Sequence, residues 1–286
     1  MTISKLRKDY HKKVVNQLLR IRKNKLKGDY PNNADGDSKI SVKIAWEIVD
    51  RITKKPIVGS ISGQEAGSIF EKLTKEFLEK SFKQLVHLRP GKWTYSTNTN
   101  IALFDQYRDL ALITSLVKNN KELASTLGQD YLISPDIVIA RKPIKDDEIN
   151  LNIKLLNKKD AFSSLTPLRE KNYKPVYDIL HASISCKWTL RSDRGQNSRS
   201  EALNLIRNRK GKLPHIVAVT AEPTPTRIAS LALGTGDVDC VYHFALYELQ
   251  EALIKLKDES QLDMLNTLVE GRRLRDISDL PFDLAI

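Results

Sequence analysis

The stretch His181-Ala-Ser-Ile-Ser-Cys-Lys-Trp-Thr-Leu-Arg191 alternates polar and apolar side chains without a break. Successive Cβ atoms of an extended chain point to opposite sides, so Ala182, Ile184, Cys186, Trp188 and Leu190 share one face while Ser183, Ser185, Lys187, Thr189 and Arg191 share the other. That period of two predicts a strand with one buried face. A polar stretch, Ser192 to Asn197, follows it, and Ser198-Arg-Ser-Glu201 then opens a helix that runs through Arg209 and stops at Gly211. Further on, His215 to Thr220 and Val238 to Ala245 are apolar runs; Glu222-Pro-Thr-Pro225 ends the first, and the second leads into a closing helix at 247–257. Upstream, Pro135 precedes Asp136-Ile-Val-Ile-Ala140, a short run of the kind a buried strand carries. Strands alternating with helices predict an α/β architecture, a central mixed β-sheet flanked by helices.

The outer parts of the chain fit around that sheet. Ala66, Ile69, Phe70, Leu73 and Phe77 recur at three- and four-residue spacing after Gly63, predicting a long amphipathic helix that ends near Arg89-Pro90-Gly91, with Glu71 beside its apolar stripe. Residues 100–128 read as helical, and Asp29 to Asp37 reads as a surface loop. Residues of about 142–174 are irregular and charged, an insertion rather than a second domain, so the expectation is one domain over 1–286. Residues of about 4–23 form a basic helix whose Leu6, Tyr10, Val14, Leu18 and Ile21 dock on the body.

Composition removes several classes. Hydrophobic residues make up 41% and charged residues 29% of the 286, with 12 Gly and 11 Pro, which excludes collagen-like, low-complexity and disordered chains. No apolar run is long enough to cross a membrane, and the N-terminal residues lack the apolar centre of a secretion signal. Cys186 and Cys240 are too few for a disulfide framework, and with the five scattered histidines they give no zinc spacing. Phosphate-binding and dinucleotide-binding glycine motifs are absent. The formal net charge of +12 points to a polyanion, and residues 1–28 supply much of it, with ten Lys/Arg against Asp9.

A carboxylate and lysine constellation remains. Asp136 opens one strand, Lys187 follows fifty intervening residues later on another, and Glu201 follows thirteen more on the next helix. Phosphodiester hydrolysis requires oxygen ligands for a hard divalent cation and a cation such as Lys to steady the attacked phosphate, and these residues supply both. Each also has a plainer reading: Asp136 as a strand-edge residue, Lys187 as solvent-facing, Glu201 as the third residue of a capping box with Ser198, and Glu71 as a helical partner of Lys75. Cys186 lies on the apolar face, which assigns its side chain to packing rather than to a nucleophile beside His181.

These stretches resemble the PD-(D/E)XK nucleases, and within them the restriction endonucleases that cut around a central CCGG. Ser185-Cys186-Lys187 stands where an acid-x-Lys would stand, and the displaced acid is Glu201 downstream. His181 to Thr189, Arg191-Ser-Asp-Arg194, Ala221-Glu-Pro-Thr-Pro225 and Asp276-Ile-Ser-Asp-Leu-Pro281 carry the likeness, whereas residues 1–28 and 94–108 match poorly. The resemblance implies a type II restriction endonuclease that cuts double-stranded DNA with Mg2+. Asp136, Glu201 and the main-chain carbonyl of Cys186 would bind the metal, Glu71 and Ser185 would complete the site, and Lys187 would be the catalytic lysine. Arg191, Asp193 and Arg194 would read CCGG, in keeping with Arg donating to guanine and Asp accepting from cytosine. Arg227, Asp35 and Gln64 would read an outer G·C pair, giving GCCGGC. The class further implies a homotetramer built as a dimer of dimers, a cognate DNA methyltransferase, no membrane, and a bacterial cytoplasmic location. A non-catalytic sequence-specific DNA-binding protein is the rival reading; it would share the charge but not the Asp136, Lys187 and Glu201 spacing.

Overall fold

The computed structural model describes residues 1–286 except 27, 119, 123–124, 126–132, 158–161, 171–173, 191 and 235, with the side chains of 118 and 192–195 also outside the description. Among the described residues six strands form one mixed sheet in the order β3-β4-β5-β6-β7-β8: β3 (Trp93–Thr97), β4 (Ile137–Arg141), β5 (Ile179–Lys187), β6 (His215–Thr220), β7 (Cys240–His243) and β8 (Leu274–Asp276). The first three pair antiparallel, and the chain then turns parallel from β5 onward. A two-stranded ribbon, β1 (Ile21–Arg22) with β2 (Tyr30–Pro31), stands apart. Helices α1 (Ile3–Gln17), α2 (Lys39–Ile52) and α3 (Gly63–Gln84) precede the sheet, and α4 (Asp109–Lys118) and α5 (Asp146–Ile149) lie before β5. Parallel pairing demands crossovers, which α6 (Ser192–Asn208), α7 (Pro225–Ala232), α8 (Leu246–Leu256) and α9 (Glu259–Glu270) provide, and α10 (Leu280–Asp283) closes the chain. This is the expected α/β fold, a central mixed β-sheet flanked by helices.

β5 is an interior strand and differs from the one-faced strand its alternation predicts. Ser183 is as buried as Ile184, because β4 and β6 occupy both edges and helices cover both faces. The pairing of β4 with β5 skips His181, whose extra residue makes a bulge and whose Nε2 bonds the Leu284 carbonyl at 2.8 Å. Cys186 is buried, as its packing role required.

Elsewhere the structure corrects boundaries. The basic helix ends at Gln17 rather than near residue 23, with Ile21 in the β1 ribbon; Leu6, Tyr10, Val14, Leu18 and Ile21 are nevertheless all buried. Helix α6 starts at Ser192, six residues before the expected cap, so Ser198 is not a cap. It faces inward with Ala202 and Leu205, four and then three residues on, as a buried helical stripe. Residues 100–128 hold two short 3-10 turns and α4, and part of that span lies outside the described residues. The Asp29 to Asp37 loop is not superficial: Asn32, Asn33 and Ala34 are buried, and Gly36 sits so close to Tyr30 that an added Cβ would meet its ring at 2.6 Å. No helix among the described residues is long and apolar enough to cross a membrane.

Candidate active site

Because β4 and β5 run antiparallel, the residue entering β4 lies beside the residues leaving β5; Ile137 pairs with Ile184. Asp136 therefore meets the end of the lysine strand. Its Oδ2 accepts from the Cys186 N–H at 2.6 Å and from the Lys187 ammonium at 3.0 Å, and the Ser185 hydroxyl approaches at 3.5 Å. Parallel pairing of β5 with β6 brings Thr220 beside Lys187, so the site opens at the carboxyl ends of the parallel strands, where α/β sheets usually bind ligands.

A cleft of about 680 Å³ gathers Glu71, Asp136, Cys186, Lys187, Glu201, Asp35, Gln64 and Arg227 along its walls. Glu71 arrives from the amphipathic helix α3 and Glu201 from the third turn of α6, each projecting from an otherwise packed face. Burial pushes the Glu71 carboxyl up, and the nearby Asp136 pushes it further, against weaker pulls from Asn98 and Lys187. Glu201 is raised first by burial and also by Asp136, with Lys187 opposing. The capping-box role for Glu201 is gone, since Glu201 lies inside the helix. The helical-partner role for Glu71 is displaced too, since its carboxylate accepts from the Asn98 amide at 3.4 Å.

Ser185 bonds the buried Ser198 hydroxyl at 3.1 Å and so links the lysine strand to α6. Arg227 at the start of α7 forms an ion pair with Asp35, both half-exposed in the cleft, and Gln64 stands in the first turn of α3 nearby. Arg191 lies outside the described residues; Asp193 and Arg194 fall in the first turn of α6, with side chains outside the description.

Sequence reading did not single out Asn98, and it took Ser198 for a helix cap rather than the partner of Ser185. Asn98 directly follows β3, a strand the pattern did not reveal, and holds a left-handed φ of 51° in which its N–H donates to the Pro135 carbonyl at 3.1 Å. Asn tolerates that conformation better than most residues, a signal legible only once β3 is known.

Among the described residues, no group of three or more His, Cys, Asp or Glu side chains is arranged to hold a metal ion unaided. The donors are still of the right kind. Asp136, Glu71 and Glu201 offer hard carboxylate oxygens, and the repulsion from Asp136 that raises the other two is what a divalent cation relieves.

The model of the NgoMIV restriction enzyme family matches residues 10–286. The type II restriction enzyme NgoMIV of Neisseria gonorrhoeae is 47% identical over 285 residues, covering 98% of this chain and 97% of its own. Two solved structures align far more loosely. The pre-specific restriction endonuclease BsaWI with DNA is 12% identical over 78% of this chain and 62% of its own, at a TM-score of 0.32. The restriction endonuclease PspGI with substrate DNA is 13% identical over 99% and 92%, at 0.30. At those scores neither likeness bears on the site. The near full-length relationship makes the protein a type II restriction enzyme, a site-specific deoxyribonuclease. The chain belongs to the NgoMIV restriction enzyme family. Restriction endonucleases generally work with a divalent metal.

Proposed function

We propose that this enzyme hydrolyses phosphodiester bonds at a palindrome containing CCGG, namely GCCGGC, in a Mg2+-dependent reaction carried by Asp136, Lys187, Glu201, Glu71 and Ser185. The observation that carries this reading is the Asp136 and Lys187 contact at 3.0 Å beside two carboxylates raised by burial, all in one cleft. Lys187, held by Asp136, presents its ammonium to the attacked phosphate and offsets charge that develops there. Asp136, Glu201 and the Cys186 main-chain carbonyl would hold the magnesium ion, which supplies a Lewis acid for the phosphoryl oxygen and activates water. Ser185 keeps Asp136 and α6 aligned through Ser198. Arg191, Asp193 and Arg194 read the central bases, and the Arg227 and Asp35 pair with Gln64 reads the outer one.

A palindrome cut on both strands requires two sites related by a twofold axis. We read the assembly as a homotetramer, as the resemblance to the CCGG-cutting enzymes implies, and Leu151, Ile153, Leu155 and Phe162 of the insertion, 68–85% exposed, offer apolar side chains to a partner. The enzyme would act in the bacterial cytoplasm beside a cognate DNA methyltransferase. Incubation with magnesium and plasmid DNA, followed by sequencing of the cut ends, tests the reading: ends within GCCGGC are expected, and ends lacking CCGG overturn it.

A further inference from the structure

The Ala221-Glu-Pro-Thr-Pro225 segment takes no part in the chemistry above, yet Glu222 at its heart is fully buried. A carboxylate removed from water is costly unless donors meet its oxygens, and an apolar side chain would fill the same space more cheaply. Three donors do meet it. Oε2 accepts from the Leu190 N–H at 3.0 Å; Oε1 accepts from the Thr224 N–H at 3.2 Å and from the Thr224 hydroxyl. The residues just before Glu222 are tied down equally well. The Thr220 hydroxyl and the Ala221 N–H both donate to the Lys187 carbonyl, at 2.9 and 3.1 Å, and the buried Asn33 amide donates to the Ala221 carbonyl at 3.0 Å.

Each of these contacts leads to a different working part. Lys187 carries the cation of the cleft; Leu190 is the last residue before Arg191; Asn33 lies two residues before Asp35; and Thr224 precedes α7, which bears Arg227. One buried segment thus grips the roots of the lysine strand, of the central reading segment and of both halves of the outer ion pair.

We propose that Glu222 is a positioning residue that holds the base-reading segments in register with Lys187, so that cutting follows recognition. This rests on the assignment of Arg191, Asp193 and Arg194 as base readers. Glu222 touches neither substrate nor metal; it acts through the Leu190 N–H.

Glu222→Leu keeps roughly the volume but removes every acceptor, whereas Glu222→Gln keeps an oxygen for Leu190 and lets the Thr224 hydroxyl turn to accept from its amide, so that only the longer bond from the Thr224 N–H is lost. The measurement is the ratio of cleavage rates on a GCCGGC duplex and on duplexes with one CCGG base pair changed, alongside affinity for unrelated DNA and a melting curve. Glu222→Leu is expected to lower that ratio about tenfold or more, the worth of one well-placed base contact, with affinity for unrelated DNA unchanged. Glu222→Gln is expected to stay within about threefold of the parent, since a neutral acceptor retains most of the hydrogen bond. A Glu222→Leu enzyme that discriminates as the parent does overturns the proposal, even if it melts early, because that is the mark of a packing role alone. Should Glu222→Leu fail to fold, Thr224→Val removes only one donor; a fall of about threefold supports the proposal and an unchanged ratio overturns it. Parent enzyme that cuts without regard to the CCGG bases defeats the reader assignment itself, before any variant is compared.

Discussion

Two clusters of acids and bases sit at different places in this molecule and behave in opposite ways. In one, Asp276 is fully buried and Arg7 of the basic helix α1 grips it with two bonds of 2.8 Å, while the same guanidinium takes Glu248 of α8. The Leu246 N–H, the Ser278 N–H and the Ser278 hydroxyl also donate to Asp276. Burial alone would raise Glu248, but its bonds to Arg7 and the charges of His11 and Arg7 hold it low. In the other, Asp136, Glu71 and Glu201 share one lysine, and both glutamates are pushed up. The first cluster is closed by hydrogen bonds to both of its carboxylates and locks α1 to the sheet; the second sets three carboxylates against one lysine and is open to a cleft. A satisfied network stabilises a fold, whereas an unsatisfied one facing a cleft is prepared for a ligand.

That contrast breaks most sharply under substitution of the open cluster. Asp136→Ala and Lys187→Ala are each expected to reduce cleavage by at least about 10²–10³-fold, with specific DNA binding still measurable by gel shift, because most affinity resides in other phosphate and base contacts. Normal cutting by either variant in magnesium would remove the assigned active site.

The closed cluster should respond in stability instead. Arg7→Ala strands a buried carboxylate and is expected to cost about 3–5 kcal/mol in denaturant unfolding, while the rate per folded molecule stays near that of the parent. Loss of catalysis without loss of stability would mean that the two clusters communicate.

These clusters are unequally legible in the sequence. Asp136, Lys187 and Glu201 can be picked out because apolar runs and a period of two place them at strand ends and on the following helix. The Arg7, Glu248 and Asp276 network is invisible there, since its members are 241 and 269 residues apart and nothing local ties them. The strand β3 escapes because Trp-Thr-Tyr-Ser-Thr is a short, mostly polar segment, with only Trp93 and Tyr95 alternating against Thr94 and Ser96, and packs half-buried at the sheet's edge; β8 has three residues, too few for any period. The start of α6 falls six residues earlier than its pattern suggests because Ser-Asp-Arg-Gly-Gln-Asn is rich in turn formers, a weak preference that packing of Ser198 and Ala202 against the sheet overrides.

A pH titration sharpens the comparison from within the closed region. Burial pulls the His243 imidazole down to about 4, with Asp276 and its backbone partners opposing. Its Nδ1 accepts from the Ala245 N–H at 3.2 Å, which leaves Nε2 to donate to the Glu222 carbonyl at 3.2 Å. A histidine whose folded pKa lies below the unfolded value of about 6.5 binds its proton more readily when unfolded; its contribution is whole above that pH and is lost as pH falls toward 4. His181, held near 3 chiefly by burial, acts in the same direction. Unfolding free energy is expected to drop on the order of 1–3 kcal/mol for His243 between pH 7 and 4.5, and His243→Gln should flatten that part of the decline. An equally steep decline in the variant would reassign the acid sensitivity to other groups.

The Asp35 and Arg227 pair is the intermediate case, an ion pair of one acid with one base that stands half-exposed in the cleft, with side chains 30% and 36% accessible. As a structural bridge it should matter little, because exposed pairs contribute only about 0–1 kcal/mol to folding. As a reader it should matter more: Arg227 can donate to guanine O6 and N7 while Asp35 orients it or accepts from cytosine N4. Arg227→Ala is therefore expected to shift melting by no more than about 1 kcal/mol but to cost about 1–3 kcal/mol in cleavage of GCCGGC, with little change on duplexes whose outer pair is altered. The outer-pair preference should then collapse while the central CCGG preference survives. A uniform loss across both kinds of duplex would make Arg227 a phosphate contact, and a large melting shift without any change in preference would move the pair into the class of the Arg7 network.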